Sequence, residues 1–112
     1  MTLLVLASSL DRSVIVELLL KNKDVRVNEK DNNGNTAILM AVYFGFAETL
    51  RCLLENPDVR VNDKDGEGVP PLLVAIGKGH TEIIRLLAAH KDIRINEKDS
   101  EGNTPLFLSV GK

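Results

Sequence analysis

The sequence has few aromatic residues, a single cysteine and no excess of one charge. With no tryptophan, one tyrosine and three phenylalanines, its core must consist mainly of Leu, Ile, Val and Ala, as is typical of closely packed helices. The lone Cys52 excludes an internal disulfide and favours a reducing compartment, so we expect a cytoplasmic or nuclear protein. The formal net charge of −2 and the interleaved acids and bases favour neither nucleic acid nor an anionic membrane as a partner.

A polar phrase occurs three times, first as NEKDNNGNT at residues 28–36, then as NDKDGEGVP and NEKDSEGNT. It resembles the start of a calcium-binding loop, which requires a glutamate at its twelfth position. Counted from Glu29, Asp63 and Glu97, the twelfth positions are Met40, Val74 and Leu108, so we expect no metal site. We interpret the phrase as a tight turn, in which the aspartate accepts backbone N–H groups and the glycine adopts a positive φ.

The chain repeats itself every 34 residues, and residues 31–64 and 65–98 are identical at 12 of 34 positions. Within one period, segments 36–44 and 47–55 have apolar residues at helical spacing and are separated by Gly45. Helices this short are marginal in isolation, so each must pack on its neighbours. The pattern therefore predicts an all-α stack of helix-turn-helix units.

An alternation of apolar and polar residues follows the second helix of each period, as DVRVN in two copies and DIRIN in the third. It predicts a short extended arm with valine or isoleucine facing the stack and arginine facing water. Asn22, Asn56 and His90 stand where a left-handed residue could end the preceding helix. Asn and His are enriched in that conformation, so we expect them to adopt it.

Taken together, these motifs resemble the ankyrin repeat. The resemblance is carried by DSEGNTPL at residues 99–106, by GHTEIIRLL at residues 79–87, and by the recurring Asn28, Asn62 and Asn96. It implies an ankyrin-repeat solenoid with short extended β-turn arms, although the usual period is about 33 residues. The implied single domain spans residues 1–112, with a partial repeat at 1–30, full repeats at 31–64 and 65–98, and a partial repeat at 99–112.

The resemblance also implies a non-catalytic module without a cofactor, which binds a protein partner through the concave face made by turn tips and first helices. Tyr43 and Phe44, beside Phe46, resemble the aromatic anchors of protein interfaces. The alternative is that Phe44 or Phe46 folds back over a neighbouring repeat. The candidate partner-binding residues are Asn32, Asn33, Asn35, Tyr43, Phe44, Phe46, Glu67, Val69, Lys78, Glu101 and Asn103.

Two other functions stay open at this point. The chain could be a structural spacer in a longer repeat array, and it could form a homo-oligomer through uncapped terminal repeats, since Leu106, Leu108 and Val110 lack a second helix to cover them. An inhibitor that occludes an enzyme is a special case of protein binding. Asn28 and Asn62 resemble asparagines that accept oxygen-dependent hydroxylation in this family, although many such asparagines are structural hydrogen-bonding residues.

An enzyme is poorly supported by the sequence. The only histidines are His80, which resembles a turn residue of the family, and His90. Cys52 falls in the apolar stripe of a predicted helix, which is typical of an unreactive core thiol. No motif for phosphate cradling or for a zinc site is present.

Overall fold

A computed structural model describes residues 2–94 of the chain. Within this range the backbone forms helices and turns but no strand. The six helices are α1 (Leu3–Ser9), α2 (Ser13–Leu20), α3 (Ala37–Phe44), α4 (Ala47–Leu54), α5 (Pro71–Lys78) and α6 (Thr81–Ala88).

The helices form three pairs that stack on one another: α1 with α2, α3 with α4, and α5 with α6. Between pairs, α3 packs against α1 and α5, and α4 packs against α2 and α6. The first helices therefore make one layer and the second helices another. This arrangement confirms the predicted all-α solenoid, because each pair buries its apolar residues on the next pair.

The predicted helix boundaries hold to within one residue in the second pair. The Thr36 hydroxyl oxygen accepts a hydrogen bond from the Leu39 N–H at 3.2 Å and so caps α3. Gly45 ends α3 with a φ of 77°. One period earlier Asp11 takes the same left-handed conformation, with a φ of 56°, and its carboxylate accepts a hydrogen bond from the Thr49 hydroxyl at 2.9 Å.

A continuous apolar core runs through all three pairs. Its fully buried side chains include Val16 of α2, Leu50 and Leu53 of α4, and Leu87 of α6. Leu50 and Leu53 are about one helical turn apart in α4 and therefore share its inner face, on which the other second helices also bury their side chains. The helices have only seven or eight residues and would be too short to be stable in isolation. Burial of this inner face holds them in place.

The arms between pairs alternate in burial as predicted. The first arm is not extended throughout, because residues 27–28 form a turn in which the Glu29 N–H donates to the Arg26 carbonyl at 3.2 Å. Val59 and Val61 are buried, whereas Arg60 between them is exposed. Each arm is also joined to the next one by an asparagine. The Asn28 side-chain amide donates to the Asp58 carbonyl at 2.7 Å, and its oxygen accepts from the Arg60 N–H at 2.7 Å. Asn62 repeats both bonds one period later, with Asp92 and Arg94.

The left-handed conformation suggested for the ends of the second helices is not observed. Among residues 2–94, Asp11 is the one non-glycine residue with a positive φ. Asn22, Asn56 and His90 instead accept a hydrogen bond from the backbone N–H two residues later, at Asp24 (2.8 Å), Asp58 (2.8 Å) and Asp92 (3.1 Å). A side-chain acceptor of this kind turns the chain locally and avoids the steric cost of a left-handed residue.

Replacing Asn28 with alanine is expected to lower the free energy of unfolding by about 1–2 kcal/mol, because the Asp58 carbonyl and the Arg60 N–H lose their partner. Urea unfolding measures the change. The control is Asn32→Ala, which truncates the same residue type at an exposed turn tip and should change stability by less than about 0.5 kcal/mol. Equal losses in the two variants would contradict a structural role for Asn28.

Candidate functional site

Two turns project from the stack and are held rigid by their aspartates. The Asp31 carboxylate accepts hydrogen bonds from the N–H groups of Asn33 and Asn35, each at 2.9 Å, and Gly34 has a φ of 81°. The turn one period later is built in the same way from Asp65, Glu67, Gly68 and Val69. The predicted role of the repeated phrase as a tight turn is confirmed for its first two copies, since one carboxylate oxygen in each of them binds the backbone, and the third copy lies outside the described residues.

A groove of about 340 Å³ lies between these turns and the helices α3 and α5. One wall is polar and is made by the turn residues Asn33, Asn35, Asp65, Gly66 and Glu67. The other wall is mainly apolar and is made by the helix residues Leu39, Met40, Tyr43, Phe44 and Val74. We call this feature the concave groove.

An aromatic cluster forms one end of the concave groove. Tyr43 and Phe44 are 46% and 47% exposed, and their rings meet edge to face with centroids 5.1 Å apart. Phe44 also stacks on Phe46, with centroids 5.6 Å apart. The ammonium of Lys78 lies 4.1 Å from the centroid of the Tyr43 ring, within the range of a cation–π contact.

The three aromatic residues differ in how far they are buried. Phe46 is half-buried and packs against the core. Tyr43 and Phe44 keep about half of their surface exposed. Core packing therefore explains Phe46 but leaves a large apolar area on Tyr43 and Phe44 available for contact.

His80 joins the end of α3 to the start of α6. Its Nε2 lies 3.2 Å from the Tyr43 carbonyl oxygen, which can only accept, so this nitrogen carries the proton. The ring also covers Gly45, where an added Cβ would lie 3.0 Å from the imidazole. His80 thus has the turn role expected of it, and it fixes the backbone of the residue that carries the exposed tyrosine ring.

The structure brings five of the predicted partner-binding residues into the concave groove: Asn33, Asn35, Tyr43, Phe44 and Glu67. Phe46 and Lys78 contact the aromatic pair from beside the groove. Asn32 is exposed at the turn tip, and Val69 is half-buried where the turn ends. The predicted residues Glu101 and Asn103 lie outside the described residues.

Sequence reasoning missed the middle of the apolar wall, which is made by Leu39, Met40 and Val74. Met40 and Val74 are one period apart, so the repeat itself contained a signal for them. The turn-tip residue Gly66 lies on the polar wall, and the sequence did not indicate why a glycine stands there. A Cβ on Gly66 would lie 2.7 Å from the Asn33 carbonyl oxygen, so the two turns can approach this closely only with a glycine at that position.

Replacing Gly66 with alanine is expected to push the two turns apart and to lower the free energy of unfolding by about 1 kcal/mol. Amide exchange at Asn33 and Glu67 should become faster in this variant. Gly77→Ala is the matched control, because an added Cβ on this exposed helical glycine meets nothing within 4 Å. Gly77→Ala should raise the free energy of unfolding by up to about 1 kcal/mol. The same substitution therefore changes stability in opposite directions at the two sites. A stabilising Gly66→Ala would show that the turns are not in close contact.

Cys52 and the metal-binding residue types were considered as possible sources of catalysis among the described residues. Burial, together with the carboxylates of Glu17, Glu48 and Glu55, raises the pKa of the Cys52 thiol, which disfavours the nucleophilic thiolate. Within residues 2–94 no group of three His, Cys, Asp or Glu side chains is placed to hold a metal ion. No helix in this range is long and apolar enough to cross a membrane.

Comparison with known families gives one match that extends over the whole chain. A family model described as ankyrin repeats (three copies) matches residues 1–65 and 40–112. A comparison with curated proteins finds no match. The family match and the stacked helix pairs agree with the resemblance found in the sequence motifs.

Proposed function

Because this chain belongs to the ankyrin-repeat family, we propose that it binds a protein partner through its concave groove. Ankyrin repeats generally serve as protein–protein interaction modules and are typically non-enzymatic. The observation that carries the proposal is the exposed aromatic pair, Tyr43 and Phe44, at the end of the groove. Aromatic residues are enriched among the few residues that supply most of the binding energy at interfaces.

The two walls of the groove suit a peptide segment. An apolar side chain of the partner can lie on Met40 and the aromatic pair, where it removes apolar surface from water. The opposite wall offers the amides of Asn33 and Asn35 and the exposed carboxylate of Glu67 for hydrogen bonds. An apolar floor beside a polar rim is the usual composition of a protein interface.

The groove is also largely ordered before any partner arrives. The Asp31 and Asp65 carboxylates hold the turns, while His80 and Lys78 restrain the backbone and the ring of Tyr43. Binding to groups already in place costs less conformational entropy than binding to mobile ones. This restraint supports binding at the groove in preference to the freely exposed outer surface.

Selection of random peptides displayed on phage against the whole chain tests the proposal, followed by hydrogen exchange with and without a selected peptide. We expect protection at the turns near residues 32–35 and 66–69 and along residues 39–44. A scrambled version of the selected peptide serves as the control. Protection confined to the outer surface of α2, α4 and α6, or a failure to enrich any peptide, would contradict binding at the concave groove.

A structural spacer that associates through its terminal repeats is a second candidate function. The unfinished repeat that suggests it, with Leu106, Leu108 and Val110, lies outside the described residues. What favours it is the apolar surface of the first helix pair, where six large hydrophobic side chains are exposed. For a pure spacer, Tyr43 and Phe44 only pack on their neighbours, and their removal leaves all binding unchanged.

We further propose that the protein acts inside the cell, in the cytoplasm or nucleus. Its one cysteine is a free, half-buried thiol, and such thiols persist in reducing compartments. Fluorescence microscopy of the tagged chain in its native cell checks this location.

A further inference from the structure

The charged side chains that line the concave groove are all acidic. They are Asp65 and Glu67 of the polar wall, since Lys30 and Lys64 flank the two turns in sequence but do not line the groove. Glu67 is exposed, and within residues 2–94 no ion pair joins its carboxylate to a basic side chain. The polar wall therefore presents negative charge to a ligand.

The backbone of the polar wall offers little to an anion. Successive N–H groups of a turn commonly form an anion-binding site. In the second turn, however, the N–H groups of Glu67 and Val69 donate to Oδ1 of Asp65 at 2.8 and 2.9 Å. Asp31 takes up the N–H groups of the first turn in the same way. Because the protein's own carboxylates occupy these donors, the wall favours a cationic ligand over a phosphate or a carboxylate.

The aromatic end of the groove has the opposite preference. The exposed Lys78 lies beside the groove, and its ammonium is 4.1 Å from the centroid of the Tyr43 ring. A cation of the ligand placed on this ring would be repelled by Lys78 and would compete with an existing cation–π contact. The charges thus direct a basic group of the ligand to the turns and leave the aromatic end to an apolar group.

We propose that the concave groove recognises a peptide segment in which an arginine or lysine stands close to an apolar residue. The basic side chain binds the carboxylates of Glu67 and Asp65. The apolar side chain lies on Met40, Tyr43 and Phe44. This inference rests on the proposed function and specifies the chemistry of its partner. The volume of about 340 Å³ is near the lower end of the range of about 300–1,000 Å³ for ligand sites, which suits a short segment with few side chains.

Parallel selections from one random peptide library displayed on phage, against the unaltered 112-residue chain and against Glu67→Lys, test this inference. Peptides selected on the unaltered chain should contain more arginine and lysine than the starting library, and Glu67→Lys should remove this excess. A selected basic peptide should bind Glu67→Lys with a Kd at least about tenfold higher, because like charges then face each other. Exchange of the peptide's most important basic residue for glutamate should restore its affinity for this variant.

Glu55→Lys is the matched control, because it makes the same change of charge at an exposed glutamate outside the groove. Glu67 holds its turn through its backbone N–H, which the substitution keeps, so both variants should fold. Circular dichroism and thermal unfolding verify this. Equal losses of affinity in the two variants would show that basic peptides respond only to the net charge of the protein, and would overturn the inference.

Hydrogen exchange separates this inference from the proposed function. Selected peptides that protect the groove, carry no excess of basic residues and bind Glu67→Lys unchanged would overturn the proposed partner chemistry while supporting binding at the groove. If no selected peptide protects the groove, binding at this site fails and the partner chemistry fails with it.

Discussion

Replacing both Tyr43 and Phe44 with alanine is expected to weaken the binding of a selected peptide by about a hundredfold or more. Truncating a single aromatic anchor at the centre of an interface commonly costs about 2 kcal/mol or more, and a hundredfold change corresponds to about 2.7 kcal/mol. Both rings line the concave groove and expose about half of their surface, which a ligand can cover. Isothermal titration calorimetry with the selected peptide measures the loss.

The stability of the double variant decides between binding and packing. Because both side chains are only half-buried, their truncation should lower the free energy of unfolding by less than about 2 kcal/mol. Leu18→Ala removes a comparably exposed apolar side chain outside the groove and should leave peptide affinity unchanged. If the double variant binds normally but unfolds much more easily, the aromatic pair serves the fold and the spacer function gains support.

Replacing Leu50 with alanine is expected to lower the free energy of unfolding by about 2–5 kcal/mol. Leu50 of α4 is fully buried in the core shared by the three pairs, so the substitution leaves a cavity in addition to the lost transfer free energy. The total free energy of unfolding of a domain of this size is only about 5–15 kcal/mol. The middle helix pair also contacts both of its neighbours. A large part of the stability should therefore disappear, as urea unfolding can measure.

Leu18→Ala is a matched control for this prediction as well. Leu18 also lies in a second helix but is 61% exposed, so the same truncation should change stability by less than about 0.5 kcal/mol. Similar losses at Leu18 and Leu50 would show that the second helices do not share a common buried side.

Local features of the fold were predictable where the conformation of a segment depends on one residue type within that segment. Asp31 and Gly34 indicated a tight turn, and both take the expected roles in it. The helix predicted over residues 36–44 is observed as Ala37–Phe44, with Thr36 as its cap. Prediction failed at Asn22, because asparagine has two ways to turn a chain, by a left-handed backbone or by its side-chain oxygen, and the second one occurs.

The candidate site was only partly predictable. Tyr43 and Phe44 were expected from the resemblance, which implies that the ends of first helices face the concave side. The need for a glycine at position 66 could not be recognised from its own segment, because it arises from the Asn33 carbonyl oxygen of the preceding turn.

By itself, the sequence determined the repeat of 34 residues, the helix-turn-helix unit within it and the family to which the chain belongs. These features depend on the periodicity of apolar residues and on turn residues whose preferences act within a few positions of the chain. Only the tertiary structure decided that Phe46 packs on the core while Tyr43 and Phe44 stay exposed. Exposure depends on which atoms of other repeats lie within contact distance, and residues 34 positions apart in sequence become neighbours only when the pairs stack.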